Sequence, residues 1–117
     1  MPRYVILEHD HPVLHWDLML EAGAGLRTWR LAEPPRPGRA AAATAIGEHR
    51  RAYLDYEGPV SGGRGRVTRW DAGTFSGEAG GADRVVVTLE GERVRGVLEL
   101  RRSSGEEWSA LLGSEGS

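Results

Sequence analysis

No cysteine occurs in the 117 residues, so disulfides and thiolate metal sites are excluded. Lysine is absent too: all 15 basic residues are arginine. That rules out a Schiff-base lysine and a Walker-type phosphate loop. No run approaches the roughly 18–20 apolar residues of a membrane span. Residues 1–9 lack the apolar stretch and cleavage-type end of a signal peptide. The expectation is a soluble, cytoplasmic protein with no membrane partner. An excess of positive charge is also missing. The formal net charge is −2, whereas nucleic-acid-binding domains are usually basic, and at first this argues against such a partner.

What is present is enough for one small domain, here residues 1–117, since domains hold about 100–200 residues. Apolar residues make up 39% and charged ones 27%, so the core is thin, with about 65% of the unfolded surface buried at this size. A monomer is expected. Period-two patterns dominate the chain. Leu14, Trp16, Leu18 and Leu20 alternate with His15, Asp17 and Met19, which predicts a strand. Ala22-Gly23-Ala24-Gly25 predicts a hairpin loop, with residues 26–31 returning as a strand. Residues 33–39 contain three prolines and one glycine and read as a loop. Residues 40–45 have helical propensity but are too few to stand alone, and Thr44-Ala45-Ile46 leads toward a strand.

In the second half, residues 66–70 predict a strand, Asp71-Ala72-Gly73 a turn and residues 84–89 a strand. Glu90-Gly91 predicts a tight turn, residues 93–101 a strand, residues 108–112 a last strand and 113–117 a loose tail. The sum is an all-β chain of about seven to nine short strands, a small closed or partly open β-barrel. Trp16, Trp29, Trp70 and Trp108 lie in or beside these strands and are expected in the core, Trp29 and Trp70 with some exposure.

All four histidines precede residue 50, at positions 9, 11, 15 and 49. On a strand His15 and Asp17 point to one face, opposite Leu14, Trp16, Leu18 and Leu20. Such a pair reads either as an exposed hydrogen-bonded couple or as two ligands of a divalent cation. His9 or His49 would complete a two-histidine, one-carboxylate set with open positions. Pro12 argues against a helix that would pair His11 with His15, so His11 reads as a loop residue. His49 and Tyr53 have the chemistry of a proton donor and a hydrogen-bond donor at a phosphate. Arg50 and Arg51 read as solvated charges or phosphate contacts. The stretch Ser61-Gly62-Gly63-Arg64-Gly65-Arg66 reads as a mobile loop or a backbone-phosphate contact.

The order of these pieces resembles the 3′-phosphoesterase domain of bacterial DNA ligase D. The likeness rests on three blocks. The first is His9, then His15-Trp16-Asp17, Leu20-Glu21, a glycine turn and Trp29. The second is Glu48-His49, Tyr53 and Asp55-Tyr56-Glu57-Gly58. The third is the glycine-rich loop before Arg66 followed by Trp70-Asp71-Ala72-Gly73-Thr74-Phe75. The hairpin at Leu89-Glu90-Gly91 and the late Trp108 strand fit as well. The resemblance implies a small β-barrel that removes a 3′-terminal ribonucleoside and then a 3′-phosphate, leaving the 3′-OH a ligase needs.

It also implies that His9, His15 and Asp17 bind a divalent metal, manganese first and zinc or cobalt next. His49 and Tyr53 would contact the reacting phosphate. Arg50, Arg51 and Arg64 are this chain's own candidates for phosphate-binding charge in place of the family's cations. The implied partners are nucleic-acid 3′ ends and a DNA repair ligase. Three positions depart from the family pattern: Met19 stands where it has arginine, Glu33 where it has lysine, and Gly47 where it has an acidic residue. Residues 40–43 are alanines where a basic residue usually occurs. These departures imply altered substrate or weakened activity. Two other readings remain at this stage. One is a non-catalytic module that binds a metal and nucleic-acid ends. The other is an iron oxygenase using His15, Asp17 and His49.

Overall fold

A computed structural model describes residues 1–113. The chain runs β1 (Arg3–His9), β2 (His15–Ala22), β3 (Gly25–Leu31), β4 (Ala40–His49), a single 3₁₀ turn (Arg51–Leu54), β5 (Gly58–Pro59), β6 (Arg66–Ser76), β7 (Arg84–Gly91), β8 (Arg95–Ser104) and β9 (Glu107–Leu112). Among the described residues no helix is long and apolar enough to cross a membrane. The strand order is β1-β2-β3-β4-β9-β8-β7-β6-β5, and β1 also pairs with β6. That extra pairing closes eight strands into an antiparallel barrel and leaves short β5 hanging from β6. Closure removes the unpaired edges that an open sheet would present.

Alternation sorts the side chains. Tyr4 and Ile6 of β1, Leu18 and Leu20 of β2, Trp29 and Leu31 of β3 join Phe75, Val85, Val87, Leu89, Leu98, Leu100 and Trp108 in the barrel interior. The intervening residues point outward. Over most of the wall they are polar, as an antiparallel sheet with one wet face requires. Over β1, β2, β3 and β6 they are not. Val5, Leu7, Met19, Leu26 and Val67 form a second apolar cluster, capped by Leu54 of the 3₁₀ turn. The segment that follows β4 therefore folds back onto the outer face of the barrel. The candidate site residues lie on this covered outer face, because His9, His15 and Asp17 share the parity of Val5, Leu7 and Met19.

Several expectations are corrected. Residues 40–45 belong wholly to strand β4, since they are hydrogen-bonded between β3 and β9 and tertiary pairing outweighs alanine's helical propensity. Asp71-Ala72-Gly73 does not turn but lies inside β6. The β1–β6 register shifts there, from Asp71 opposite Ile6 to Arg69 opposite Leu7, so Trp70 is the extra residue of a β-bulge. Asp71 is buried, and its carboxylate accepts the backbone N–H groups of Glu92, Arg93 and Val94 and the hydroxyl of Tyr4. Those bonds make residues 92–94 the turn, and Glu90-Gly91 remain in β7. Leu14 precedes β2 and is exposed, whereas Trp29 is fully buried. Of the tail expected at 113–117, Gly113 donates to the Val97 carbonyl, and the rest lies outside the described residues.

Candidate functional site

Strand β1 ends at His9 and β2 begins at His15, and the two residues are direct cross-strand partners. The loop between them carries a cis His11–Pro12 bond. It is pinned to β6, because Asp10 Oδ1 accepts the Arg66 N–H at 2.8 Å. Asp17 follows His15 on the same face. Among the described residues, His9, His15 and Asp17 offer three ligand atoms that all lie within 4.8 Å of one another. The pair is not exposed: the side chains of His15 and Asp17 are 6% and 5% accessible.

Backbone carbonyls orient both rings. His15 Nδ1 lies 2.8 Å from the Val13 carbonyl oxygen, and His9 Nε2 lies 2.8 Å from that of Arg64. A carbonyl only accepts, so each of those nitrogens carries the hydrogen. In the neutral rings the other nitrogen is then a lone pair. His15 Nε2 faces Asp17 Oδ1 at 3.2 Å, and His9 Nδ1 faces Asp17 Oδ2 at 3.7 Å. Asp17 Oδ1 is buried and accepts no hydrogen bond. Acceptors are thus aimed at acceptors, at a cost of about 1–3 kcal/mol for a buried polar atom left unmatched. A cation placed among them reverses the sign of that cost. Histidines that donate their far N–H to a carbonyl are the usual arrangement around a metal. The residues present fit a divalent cation with mixed nitrogen and oxygen ligands.

A cavity of about 310 Å³ lies against this cluster, and His9, His11, Asp17, Arg30, His49 and Tyr53 are among its walls. His11 is a loop residue, as expected. His49 ends β4, and its Nδ1 lies 3.0 Å from both the Thr28 hydroxyl and the Gly47 carbonyl. The carbonyl again requires a hydrogen on Nδ1, which leaves Nε2 as the ring nitrogen for the cavity. Tyr53 comes from the 3₁₀ turn and packs edge-on to His49 with ring centroids 5.4 Å apart. Thus His49 sits across the same cavity without joining the three-residue cluster, which does not match the His15–Asp17–His49 set of the oxygenase reading.

The arginines separate. Arg51 is held by Glu21 and the Gly23 carbonyl. Arg64 lines the cavity, but its guanidinium bonds Ser61, and its own carbonyl holds His9. Arg50 lines a neighbouring cavity of about 250 Å³ with Tyr53 and Tyr56. Glu33 pairs with Arg39 and does not line the His9–His49 cavity. Sequence reasoning passed over Thr28 and Arg30. Both were within reach of it: Leu26, Thr28 and Arg30 share one face of β3, and the Gly23-Ala24 turn sets Asp17 opposite Arg30.

Comparison with known proteins yields one family. Residues 7–102 match the model described as DNA Ligase D 3'-phosphoesterase domain. A relative from Mycobacterium tuberculosis, "Multifunctional non-homologous end joining DNA repair protein LigD", is 31% identical over 116 residues, 92% of this chain and 15% of that protein. "Multifunctional non-homologous end joining protein LigD" from Pseudomonas aeruginosa is 29% identical over 112 residues, 87% of this chain and 13% of that protein. The chain therefore spans only about one seventh of the length of these relatives.

Proposed function

The chain belongs to the DNA ligase D 3′-phosphoesterase domain family, and from that premise we propose that it is a metal-dependent phosphoesterase acting on nucleic-acid 3′ ends. The observation that carries this reading is the convergence of His9, His15 and Asp17, with His9 and Asp17 lining a cavity that His49 and Tyr53 also line. The names of the relatives speak of end joining and DNA repair. For this chain, a place in end healing beside a DNA repair ligase is part of the proposal.

His9 Nδ1, His15 Nε2 and an Asp17 oxygen would hold a divalent cation, manganese first, with zinc or cobalt as alternatives. Such an ion, when bound, supplies positive charge against the phosphate oxygens and favours attack by water. The other roles fall to the chain's own side chains. Thr28 and the Gly47 carbonyl hold His49 by Nδ1. Nε2, when protonated, gives its proton to the departing oxygen. The Tyr53 hydroxyl donates a hydrogen bond to a non-bridging phosphate oxygen. The oxygen of water joins phosphorus, the bond to the leaving oxygen breaks, and a 3′-phosphate end becomes a 3′-OH and inorganic phosphate. On a 3′-ribonucleotide end the same steps release the nucleoside first and leave the 3′-phosphate.

The test is incubation of the purified protein with manganese and a primer ending in a 3′-phosphate or a 3′-ribonucleotide. Conversion that stops on chelation is the expected result. Unchanged ends after long incubation at high protein concentration overturn the reading. A second reading, end binding without turnover, is favoured by Met19 and Glu33 standing where the family pattern carries cations. A mobility shift with untouched ends would support it.

A further inference from the structure

We propose that Arg30 is the residue with which this chain grips the non-bridging oxygens of the reacting phosphate, replacing from β3 the arginine that the family pattern carries on β2. The inference rests on the phosphoesterase reading above and adds a residue to it. Position 19, where the pattern has arginine, holds a methionine that is 1% exposed. It packs with Val5, Leu7, Leu26, Leu54 and Val67, so position 19 of β2 delivers no positive charge to the cavity. The charge comes from the next strand. Arg30 is the cross-strand partner of Asp17, and its side chain lines the same cavity as His9, His49 and Tyr53.

The engagement of Arg30 singles it out. Its Nε lies 4.0 Å from Asp17 Oδ1, near enough for attraction and too far for a hydrogen bond. Among the described residues its guanidinium takes part in no hydrogen bond, whereas the other arginine lining this cavity, Arg64, is bonded to Ser61. Five N–H donors in a planar fork, 43% exposed and beside a buried carboxylate, form a receptor for a tetrahedral oxyanion. Asp17 sets the direction without consuming the donors. On its other side Thr28, two residues back on the same face, holds His49. One strand face thus positions both the proton donor and the phosphate clamp.

The experiment compares wild type, Arg30→Ala and Arg30→Lys in three measurements: manganese affinity by titration, kcat and KM on a 3′-phosphate primer, and affinity of the manganese-loaded protein for inorganic phosphate. Arg30→Ala is expected to lower kcat/KM by about 100- to 1,000-fold, the usual loss for one donor to transition-state charge. Phosphate affinity is expected to fall at least tenfold, with manganese affinity changed less than threefold. Arg30→Lys should recover part of the loss, because it restores the charge and not the fork. Phosphate affinity within twofold of wild type in Arg30→Ala overturns the proposal. So does a parallel fall in manganese affinity and turnover by one factor, which would make Arg30 a support of Asp17 alone. If wild type leaves the primer unchanged, the phosphoesterase reading fails. The phosphate titration still decides Arg30 by itself.

Discussion

At Asp17 the charge that the site needs is the charge that the fold would rather lack. Its buried oxygens face His15 Nε2 at 3.2–3.3 Å, and in the neutral ring, whose hydrogen is on Nδ1 toward the Val13 carbonyl, that nitrogen has no hydrogen to give. Asp17→Asn keeps the shape and offers His15 an N–H. Thermal unfolding in the presence of a chelator is therefore expected to show the variant as stable as wild type or about 1 kcal/mol more stable. Manganese titration is expected to show a loss beyond the roughly 10–100-fold of an outer partner. A second residue sets behaviour at high pH. Burial, with the hydrogen bond to Asp71, pushes the Tyr4 hydroxyl well above the usual tyrosine range. In the folded state it stays protonated where the unfolded chain ionises. Its contribution is fully present below about pH 10 and is lost as pH rises beyond that, by up to about 1.4 kcal/mol per unit. Tyr4→Phe is expected to cost about 1–3 kcal/mol at neutral pH and to flatten that alkaline slope in urea titrations.

Among the elements, the loop before β6 and the 3₁₀ turn carry the site although neither contributes a residue to the three-residue cluster. Gly65 sits at φ +75°, and a Cβ there would meet Asp10 Oδ1 and the His11 Cβ. The preceding carbonyl orients His9. Gly65→Ala should therefore weaken manganese binding about 10–100-fold by disturbing that outer partner, with the barrel transition by near-ultraviolet dichroism little changed. The strands themselves were readable from alternation, and so was the β2–β3 hairpin, whose turn is Gly23-Ala24 alone rather than the expected residues 22–25. Strand β4 and the bulge at Trp70 were not. An alanine run says helix to local propensity, and an Asp-Ala-Gly triplet says turn. Only the neighbouring strands, and the three N–H groups that converge on Asp71, assign them otherwise.

For the whole molecule, closure of the barrel puts the candidate site outside it. The interior is filled by Trp29, Phe75, Trp108 and their neighbours, so the outer face under the 3₁₀ turn is where a cavity forms. The net charge of −2 then limits how nucleic acid is held. Two or three phosphates near Arg30 and the cation site predict a log-affinity slope against log salt of only about −1.4 to −2.1, measured by anisotropy with a single-stranded probe. A slope steeper than about −5 would point to a broad backbone interface that this surface charge does not favour.

The sequence by itself determined the fold class, the strand faces and the candidate ligands. Period-two alternation is a local property, and His15-x-Asp17 faces one way on any strand. The tertiary structure decided which second histidine joins them, because His9 reaches Asp17 only through the β1–β2 pairing while Thr28 holds His49 apart. It also decided which arginine stands at the cavity unengaged. Fifteen guanidiniums are equivalent as letters; cross-strand register and competing hydrogen bonds turn Arg51 and Arg64 to other partners and leave Arg30 beside Asp17 with its donors free.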